Sequence, residues 1–226
     1  MDKNVLIVGG GSKVGLETTR NFLQREYTVN LISSKLLEPD NNLNQLQVDW
    51  NTLKISDLEL FLKKLPMQQI LLFNQNASAL SDKCYNIKSF DKLDLWRQEK
   101  HWSQAYFVSC ILPFHIIHSL GKNCNEATKI GWMLSSLILK HDSKQIQFSD
   151  YIGNKFVNYL LIKNFSTHHE SCFFGINPDS LNDTGTPENI SKFLDFVIGA
   201  DTKKLNGKIF KLSCVEDINF KQFDDE

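Results

Sequence analysis

The sequence lacks a surplus of charge of either sign. Its 226 residues include 25 lysines and arginines and 26 aspartates and glutamates, a formal net charge of −1. Proteins that neutralise the phosphates of duplex DNA usually carry a basic excess, so we expect no nucleic-acid partner. Hydrophobic residues make up 42% and charged residues 23% of the chain, values typical of a globular protein with a sizeable buried core.

Long hydrophobic runs, an export signal and a cysteine framework are also missing. The longest apolar stretch, 106–117, is interrupted by Ser109, Pro113 and His115, and a membrane-spanning helix needs roughly 20 apolar residues. Only four apolar residues precede the first glycines, too few for the core of a signal peptide. The five cysteines form no C-x-x-C pair and the six histidines show no metal-ligand spacing. We therefore expect reduced thiols, no metal, no membrane contact and a cytoplasmic location.

Strand-like and helix-like segments alternate along the chain. Short apolar runs predict strands at 5–8, 27–32, 46–49, 69–73, 129–134, 172–176 and 208–212. Helical spacing of apolar residues predicts helices after residue 13 and over 58–65, 93–120, 151–165 and 187–198. This alternation predicts an α/β, Rossmann-type doubly wound parallel sheet with helices on both faces, in a single domain spanning 1–226. Ligands of such sheets bind at the carboxyl ends of the strands.

A glycine cluster separates the first predicted strand from the first predicted helix. Gly9, Gly10, Gly11 and Gly15 allow a sharp turn and let a phosphate approach the N–H groups at the start of the helix. Neither the G-x-G-x-x-G spacing nor the Walker spacing is met, because position 14 is Val. A phosphate-binding turn and a purely structural turn are both open.

The second predicted strand ends in Ser33-Ser34-Lys35. An acidic residue at this point would bind both ribose hydroxyls of NAD, and none is present. Two hydroxyls and an ammonium, with Lys13 nearby in the turn, suit a 2′-phosphate instead. We therefore expect NADP(H) rather than NAD(H), with solvated loop residues as the alternative.

Tyr151 and Lys155 stand one helical turn apart, which puts both side chains on one face of the predicted helix. A phenol has a pKa of about 10, and a neighbouring ammonium lowers it. Such pairs arise often by chance. This one gains weight because it follows a strand that ends in Ser135-Ser136 and comes late in an α/β pattern that began with a glycine turn.

The order of these motifs resembles the short-chain dehydrogenase/reductase family over nearly the whole chain. The segment 8–15 resembles the T-G-x-x-x-G-x-G turn, 75–78 (QNAS) the N-N-A-G segment, and 176–179 (INPD) the P-G stretch beside the nicotinamide. The resemblance implies that Ser136, Tyr151 and Lys155 are the catalytic residues. It also implies cofactor contacts from Gly9, Ser12, Lys13, Val14, Gly15, Ser33, Ser34, Lys35, Asp49, Asn76, Ala77, Lys155, Pro178 and Thr184.

The chain departs from the family pattern at several positions. Lys13 replaces the middle glycine of the turn, Asp179 the glycine after the proline, and Gln75 and Ser78 the outer residues of N-N-A-G. Ser109 stands where the family has a helix asparagine of its proton relay. The interval between Ser136 and Tyr151 is slightly long, so Ser135 is an alternative for the serine role.

The resemblance implies an NADPH-dependent carbonyl reductase or the reverse alcohol dehydrogenase. Tyr151 would give the proton to the carbonyl oxygen, Lys155 would lower the pKa of Tyr151 and bind the nicotinamide ribose, and Ser136 would polarise the oxygen. The segment after Pro178 is short, which suggests an open pocket able to take a bulky carbonyl or alcohol substrate. The resemblance also implies a homodimer or homotetramer, because in this family the two long helices, here 93–120 and 151–165, commonly pair between subunits.

Two other functions are open from the sequence. The departures in the turn and at Ser109 also fit a protein that binds the cofactor with little or no catalytic activity and acts through regulation or a partner. A SAM-dependent methyltransferase shares the glycine turn and the alternating pattern, but it leaves Tyr151 and Lys155 unexplained.

Overall fold

The protein is described from a computed structural model over residues 3–74, 103–134, 149–178 and 186–212, with backbone alone for 149–152. Seven strands form one sheet: β1 (Asn4–Val8), β2 (Thr28–Ser33), β3 (Leu43–Gln47), β4 (Ile70–Phe73), β5 (Lys129–Met133), β6 (Cys172–Asn177) and β7 (Ile209–Lys211). Their order is β3-β2-β1-β4-β5-β6-β7, and every neighbouring pair is parallel. The predicted Rossmann-type parallel sheet is confirmed.

Helices cover both faces of the sheet: α1 (Lys13–Gln24), α2 (Ile55–Leu62), α3 (Leu112–Leu120), α4 (Ser149–His168), α5 (Pro187–Gly199) and α6 (Thr202–Leu205). On one face, Leu6 and Val8 of β1 pack in a core with α2, α3 and α4. On the other, Val5 and Ile7 pack in a second core with α1 and α5. The alternation of side chains along β1 therefore supplies both cores. Among the described helices, none is long and apolar enough to cross a membrane.

Two elements lie earlier in the chain than the sequence-based prediction places them, and one short helix was not predicted. β3 covers Leu43–Gln47 rather than 46–49, α2 covers Ile55–Leu62 rather than 58–65, and the short α6 was not predicted. β3 is an edge strand of sequence LNQLQ with no fully buried residue, so it lacks the continuous apolar run that marks the central strands. The four residues of α6 are too few to show a helical period.

The helix that precedes β5 changes geometry at Pro113. Residues 103–106 are helical, Phe107–Ile111 form a π-helical turn, and Pro113 lies in the first turn of α3. Proline has no N–H to donate to the carbonyl of Ser109, four residues earlier. The N–H of Leu112 reaches back to the carbonyl of Phe107 instead. The helix therefore accommodates Pro113 by a π-bulge just before it.

The order in which successive strands join the sheet reverses between β1 and β4, which are neighbours: β2 and β3 lie on one side of β1, and β4 to β7 lie on the other. The N–H of Gly9, after β1, donates to the carbonyl of Ile32 at 2.8 Å, and the N–H of Asn74, after β4, donates to the carbonyl of Val8 at 2.8 Å. In open α/β sheets the crevice at this reversal point is the usual place for a ligand. The fold therefore directs attention to the segments that follow β1 and β4.

Candidate active site

The glycine turn after β1 packs the start of α1 against the backbone of Gly9 and Gly10. Gly9 has a φ of +90°, a conformation that favours glycine. A Cβ added to Gly15 would lie 2.6 Å from the carbonyl oxygen of Gly9, so only glycine fits at this crossing. Ser12 caps α1, and its hydroxyl accepts from the N–H of Gly15 at 3.0 Å. The turn thus presents the first N–H groups of α1 at the carboxyl edge of the sheet.

The turn also contacts the end of β2. A Cβ on Gly11 would meet the Ser33 hydroxyl oxygen at 3.2 Å, the Ser34 hydroxyl oxygen at 3.4 Å and Lys35 Cγ at 3.6 Å. Ser33 is buried and accepts from the N–H of Lys35 at 3.1 Å. Ser34, Lys35 and Lys13 are exposed. The structure therefore brings together the Ser-Ser-Lys segment and the glycine turn, as the sequence predicts.

Asp49 follows β3 at the same edge of the sheet. Its carboxylate accepts from the Asn51 N–H at 2.9 Å, from the Asn51 side-chain amide at 3.0 Å and from the Thr52 hydroxyl at 3.1 Å. The hydrogen bond from the backbone of Asn51 is the main reason that the pKa of Asp49 is lowered. The carboxylate is exposed and charged at neutral pH, and it orders the turn 49–52.

Asn74 is a site residue that the sequence analysis did not single out. It directly follows β4, is 4% exposed, and its side-chain nitrogen has no hydrogen-bond partner among the described residues. It lines a cavity of about 10 Å³ together with Val14, Met133 and Ile176. A donor left without a partner in the crevice between β1 and β4 is unusual in a folded protein. The signal in the sequence was a polar residue directly after a buried strand.

Lys155 is the only lysine among the largest fully buried side chains of the described part of the chain, at 1% exposed. Its Nζ donates to the carbonyl oxygen of Met133, the last residue of β5, at 2.7 Å. Burial lowers the pKa of Lys155 to about 8, and the neighbouring Cys110 sulfur opposes that shift. With this pKa, most Lys155 side chains are charged at pH 7. A positive charge is thus held at the carboxyl end of β5.

Cys110 lies in the π-helical turn and links that turn to α4. Its Sγ donates to the carbonyl of Asn154 at 3.7 Å, directly beside Lys155. Burial raises the pKa of the Cys110 thiol to about 11, although the Lys155 ammonium lowers it. Ser109, the neighbouring residue, is 1% exposed and its hydroxyl has no hydrogen-bond partner. The sequence identified Ser109 but gave no sign of Cys110, because the contact joins residues far apart in the chain.

The structure describes only some of the remaining predicted site residues. Tyr151 lies in α4 one helical turn before Lys155, but its side chain is outside the described part of the structure. Pro178 is buried and directly follows β6 at the carboxyl edge. Four further residues of the predicted site lie outside the described residues: Asn76, Ala77, Ser136 and Thr184. The alternative serine, Ser135, also lies outside them.

Comparison with known proteins supports the fold and no more. No protein-family model matches the chain, and no curated protein matches it in sequence. Solved short-chain dehydrogenases do match in structure. One from Salmonella enterica serovar Typhi is 14% identical with a TM-score of 0.72, covering 94% of this chain and 96% of that one.

Two further solved structures are similar over nearly their whole length. A carbonyl reductase from Pseudomonas aeruginosa is 16% identical with a TM-score of 0.70, covering 97% of this chain and 100% of its own. A short chain dehydrogenase family protein from Francisella tularensis is 14% identical with a TM-score of 0.69, covering 93% of this chain and 97% of that chain. The resemblance seen in the sequence is therefore confirmed at the level of the fold: this chain has the fold of the short-chain dehydrogenases.

Proposed function

We propose that the protein is an NADP(H)-dependent oxidoreductase that interconverts a carbonyl and an alcohol, with Tyr151 as the proton donor. The observation that carries the proposal is the placement of Lys155. Its buried ammonium lies 2.7 Å from the carbonyl of Met133, one helical turn after Tyr151 and at the same sheet edge as the glycine turn. A purely structural lysine has no need of this burial, which costs free energy.

The residues of this edge fit a dinucleotide. The turn leaves no room for a Cβ at Gly15, and the N–H groups at the start of α1 can bind a pyrophosphate. Gly9, Ser12, Lys13, Val14 and Gly15 would hold it there. The unpartnered amide nitrogen of Asn74 is a further donor in the crevice. When bound, the cofactor would supply the hydride, chemistry that belongs to the nicotinamide itself.

Selection of NADP(H) over NAD(H) is proposed from the end of β2. Ser33, Ser34 and Lys35 surround Gly11 within 3.2 to 3.6 Å of a Cβ built there. They offer two hydroxyls and an ammonium, and Lys13 adds a second ammonium at the start of α1. A 2′-phosphate carries negative charge that these groups can neutralise. Asp49, at the end of β3, is proposed to contact the adenine.

The rest of the cofactor would lie along the edge of the sheet towards β5 and β6. We assign contacts there to Lys155, Asn76, Ala77, Pro178 and Thr184. Of these, Lys155 and Pro178 are at the carboxyl ends of β5 and β6.

The proposed proton transfer from Tyr151 depends on the positive charge of Lys155. A phenol beside a fixed ammonium has its pKa lowered, because the ammonium favours the phenolate. Tyr151 would thereby become a better proton donor to a carbonyl oxygen near neutral pH. Ser136, or Ser135 in its place, would donate a hydrogen bond to the same oxygen and stabilise the charge that develops on it. In the reverse direction the same groups accept the proton of the alcohol.

The substrate is proposed to be a small-molecule carbonyl or alcohol. A carbonyl reductase is among the solved structures with this fold. The short segment between Pro178 and α5 favours an open pocket that admits bulky substrates. The unoxidised thiols Cys110, Cys124 and Cys172 fit a reducing compartment, and we place the protein in the cytoplasm.

A homodimer or homotetramer is proposed from an apolar surface on the helices around the site. Four apolar side chains on the helical residues 103–111, α3 and α4 are 38% to 52% exposed: Tyr106, Ile111, Phe114 and Leu160. The π-helical turn and α4 are in contact through Cys110, and we propose that the four exposed side chains form one face. Large apolar patches of this kind mark sites of protein contact, and a second copy of the chain is the proposed partner.

A second candidate function is cofactor binding with little or no catalysis, in a regulatory or partner-binding protein. Ser109 favours it. A serine with a buried, unpartnered hydroxyl stands where the resemblance implies the relay asparagine, and a hydroxyl cannot make the hydrogen bonds of a carboxamide.

One substitution separates the two candidates. Tyr151→Phe removes only the hydroxyl, and loss of a general acid typically lowers the rate about 10²–10⁴-fold. We expect NADPH oxidation with a panel of ketones and aldehydes to fall by at least about 100-fold, while NADPH binding, followed by its fluorescence, stays within about twofold. Tyr27→Phe, at a tyrosine beside the amino ends of β1, β4 and β5 rather than their carboxyl ends, is the matched control. Tight NADPH binding by the unsubstituted protein with no oxidation would favour the second candidate.

A further inference from the structure

A second cleft lies at the opposite edge of the sheet from the glycine turn. Its volume is about 420 Å³, within the range of roughly 300–1,000 Å³ of small-molecule pockets. The amino ends of β1, β4 and β5 and the last turn of α5 form its walls. The four steps between the first and last residues of β1, at about 3.3 Å each, separate it from the glycine turn by roughly 13 Å. The cleft is therefore not part of the candidate active site.

Three neutral hydrogen-bonding side chains line this cleft without using their hydrogen bonds inside the protein. Asn4 is 4% exposed and Tyr27 is 5% exposed, and both line the cleft together with Gln69. Within the described part of the chain, none of the three side chains makes a hydrogen bond. None of their polar atoms is among the fully buried side-chain atoms that lack a partner in the described residues, so these atoms face the open cleft. Two carboxamides and a phenol are therefore available to a bound molecule.

The one charged side chain among the described lining residues, Lys129, already makes hydrogen bonds within the protein. Lys129 donates from Nζ to the carbonyl oxygens of Val197 and Ile198 at 2.8 and 2.9 Å, which neutralises the carboxyl end of α5. No carboxylate is among the described lining residues. A cation would lose its water here without gaining an opposite charge, and an anion would have to compete with these carbonyl oxygens for the Lys129 ammonium. The lining therefore favours a neutral molecule.

The other walls are apolar and set the shape of the ligand. Apolar residues line the cleft around the side chains of Asn4, Tyr27 and Gln69: they are Pro66, Met67, Ile70 and Ile198. Met67 is 44% exposed and, being flexible, can cover a bound molecule. A carboxamide offers both a donor and an acceptor, so Asn4 and Gln69 suit a partner that also carries both. We propose that this cleft is a second binding site, for a neutral small molecule with an amide or lactam group on an apolar body.

The test uses benzamide as the probe and the backbone amide signals of the full-length protein in an NMR titration, with NADPH present throughout. We expect saturable shifts at Asn4, Gln69 and Lys129. Ala127→Trp places an indole at an exposed lining position and should weaken benzamide binding at least tenfold. Glu126→Trp, at the exposed neighbour that does not line the cleft, is the control and should leave binding unchanged. Tyr27→Phe should weaken it at least threefold.

The outcomes that would overturn the proposal are distinct. Absence of saturable shifts at these residues, or equal binding to Ala127→Trp, would show that the cleft is not a binding site. Benzoate or toluene binding as tightly as benzamide would refute the assignment to a neutral amide. Shifts at Gly9 and Gly15 instead would place benzamide at the candidate active site. None of these results depends on turnover, so failure of the proposed oxidoreductase activity remains distinguishable.

Discussion

Replacement of Lys155 by methionine should change the way in which stability depends on pH. The side chain is 1% exposed, and burial lowers its pKa from 10.5 to about 8. Each unit of pKa corresponds to about 1.4 kcal/mol, so burial of the charged form costs on the order of 3 kcal/mol. Methionine keeps most of the volume and removes the charge.

The sign of the effect follows from the lowered pKa. Below pH 8, Lys155 is protonated in both the folded and the unfolded chain, and the folded protein bears the full cost. Between pH 8 and 10.5 the unfolded chain binds more protons than the folded one, so stability rises with pH. Above that window the lysine is neutral in both states and the cost is gone. A Lys155→Met variant lacks this rise.

The assay is urea unfolding of both proteins at pH 7, 8, 9 and 10. We expect the stability of the unsubstituted protein relative to Lys155→Met to increase by roughly 2–3 kcal/mol across this range. Loss of the hydrogen bond to Met133 shifts the difference by an amount that does not depend on pH. Other lysines titrate equally in both proteins and cancel. A difference that stays constant from pH 7 to pH 10 would refute the account of a buried, charged Lys155.

Three further predictions concern the turn, the cofactor and the surface. Gly15→Ala places a Cβ 2.6 Å from the Gly9 carbonyl oxygen and should destabilise the fold by about 1–3 kcal/mol in urea unfolding. Gly153→Ala, where a Cβ meets nothing within 4 Å, should stabilise by up to about 1 kcal/mol, and equal effects at the two glycines would contradict the packing argument. Lys35→Glu should reduce the preference for NADPH over NADH at least tenfold, or about 1.4 kcal/mol, in binding titrations; an unchanged preference would remove Lys35 from the 2′-phosphate site. Phe114→Glu, at a residue 52% exposed, should convert a dimer or tetramer to monomer in light scattering, and a monomeric unsubstituted protein would overturn the proposed assembly.

The sequence predicted the central strands of the fold better than its edges. β1, β4 and β5 are runs of buried apolar residues, and such runs have one interpretation in an alternating α/β chain. β3 pairs with β2 along its whole length, and only two of its residues, Leu43 and Leu46, pack against the cores. Its ends were therefore misplaced, because pairing between strands is not visible in the local pattern.

The candidate site likewise has one part that depends on local sequence and another that depends on contacts between distant segments. The glycine turn is local in sequence, and its contact with the Ser33–Lys35 segment follows from the parallel pairing of β1 with β2. The burial of Lys155 and its neighbour Cys110 depends on packing between the π-helical turn and α4, which no local spacing predicts. Asn74 shows its importance only through the lack of a partner in the folded chain.

The most direct measurement of the central claim is a spectroscopic titration of the Tyr151 phenol, taken as the difference between the unsubstituted protein and Tyr151→Phe. The account predicts that the phenolate forms at a lower pH in the unsubstituted protein than in Lys155→Met, because the ammonium favours the phenolate. A phenol that ionises at the same pH in both proteins would contradict the claim that the Lys155 ammonium activates Tyr151.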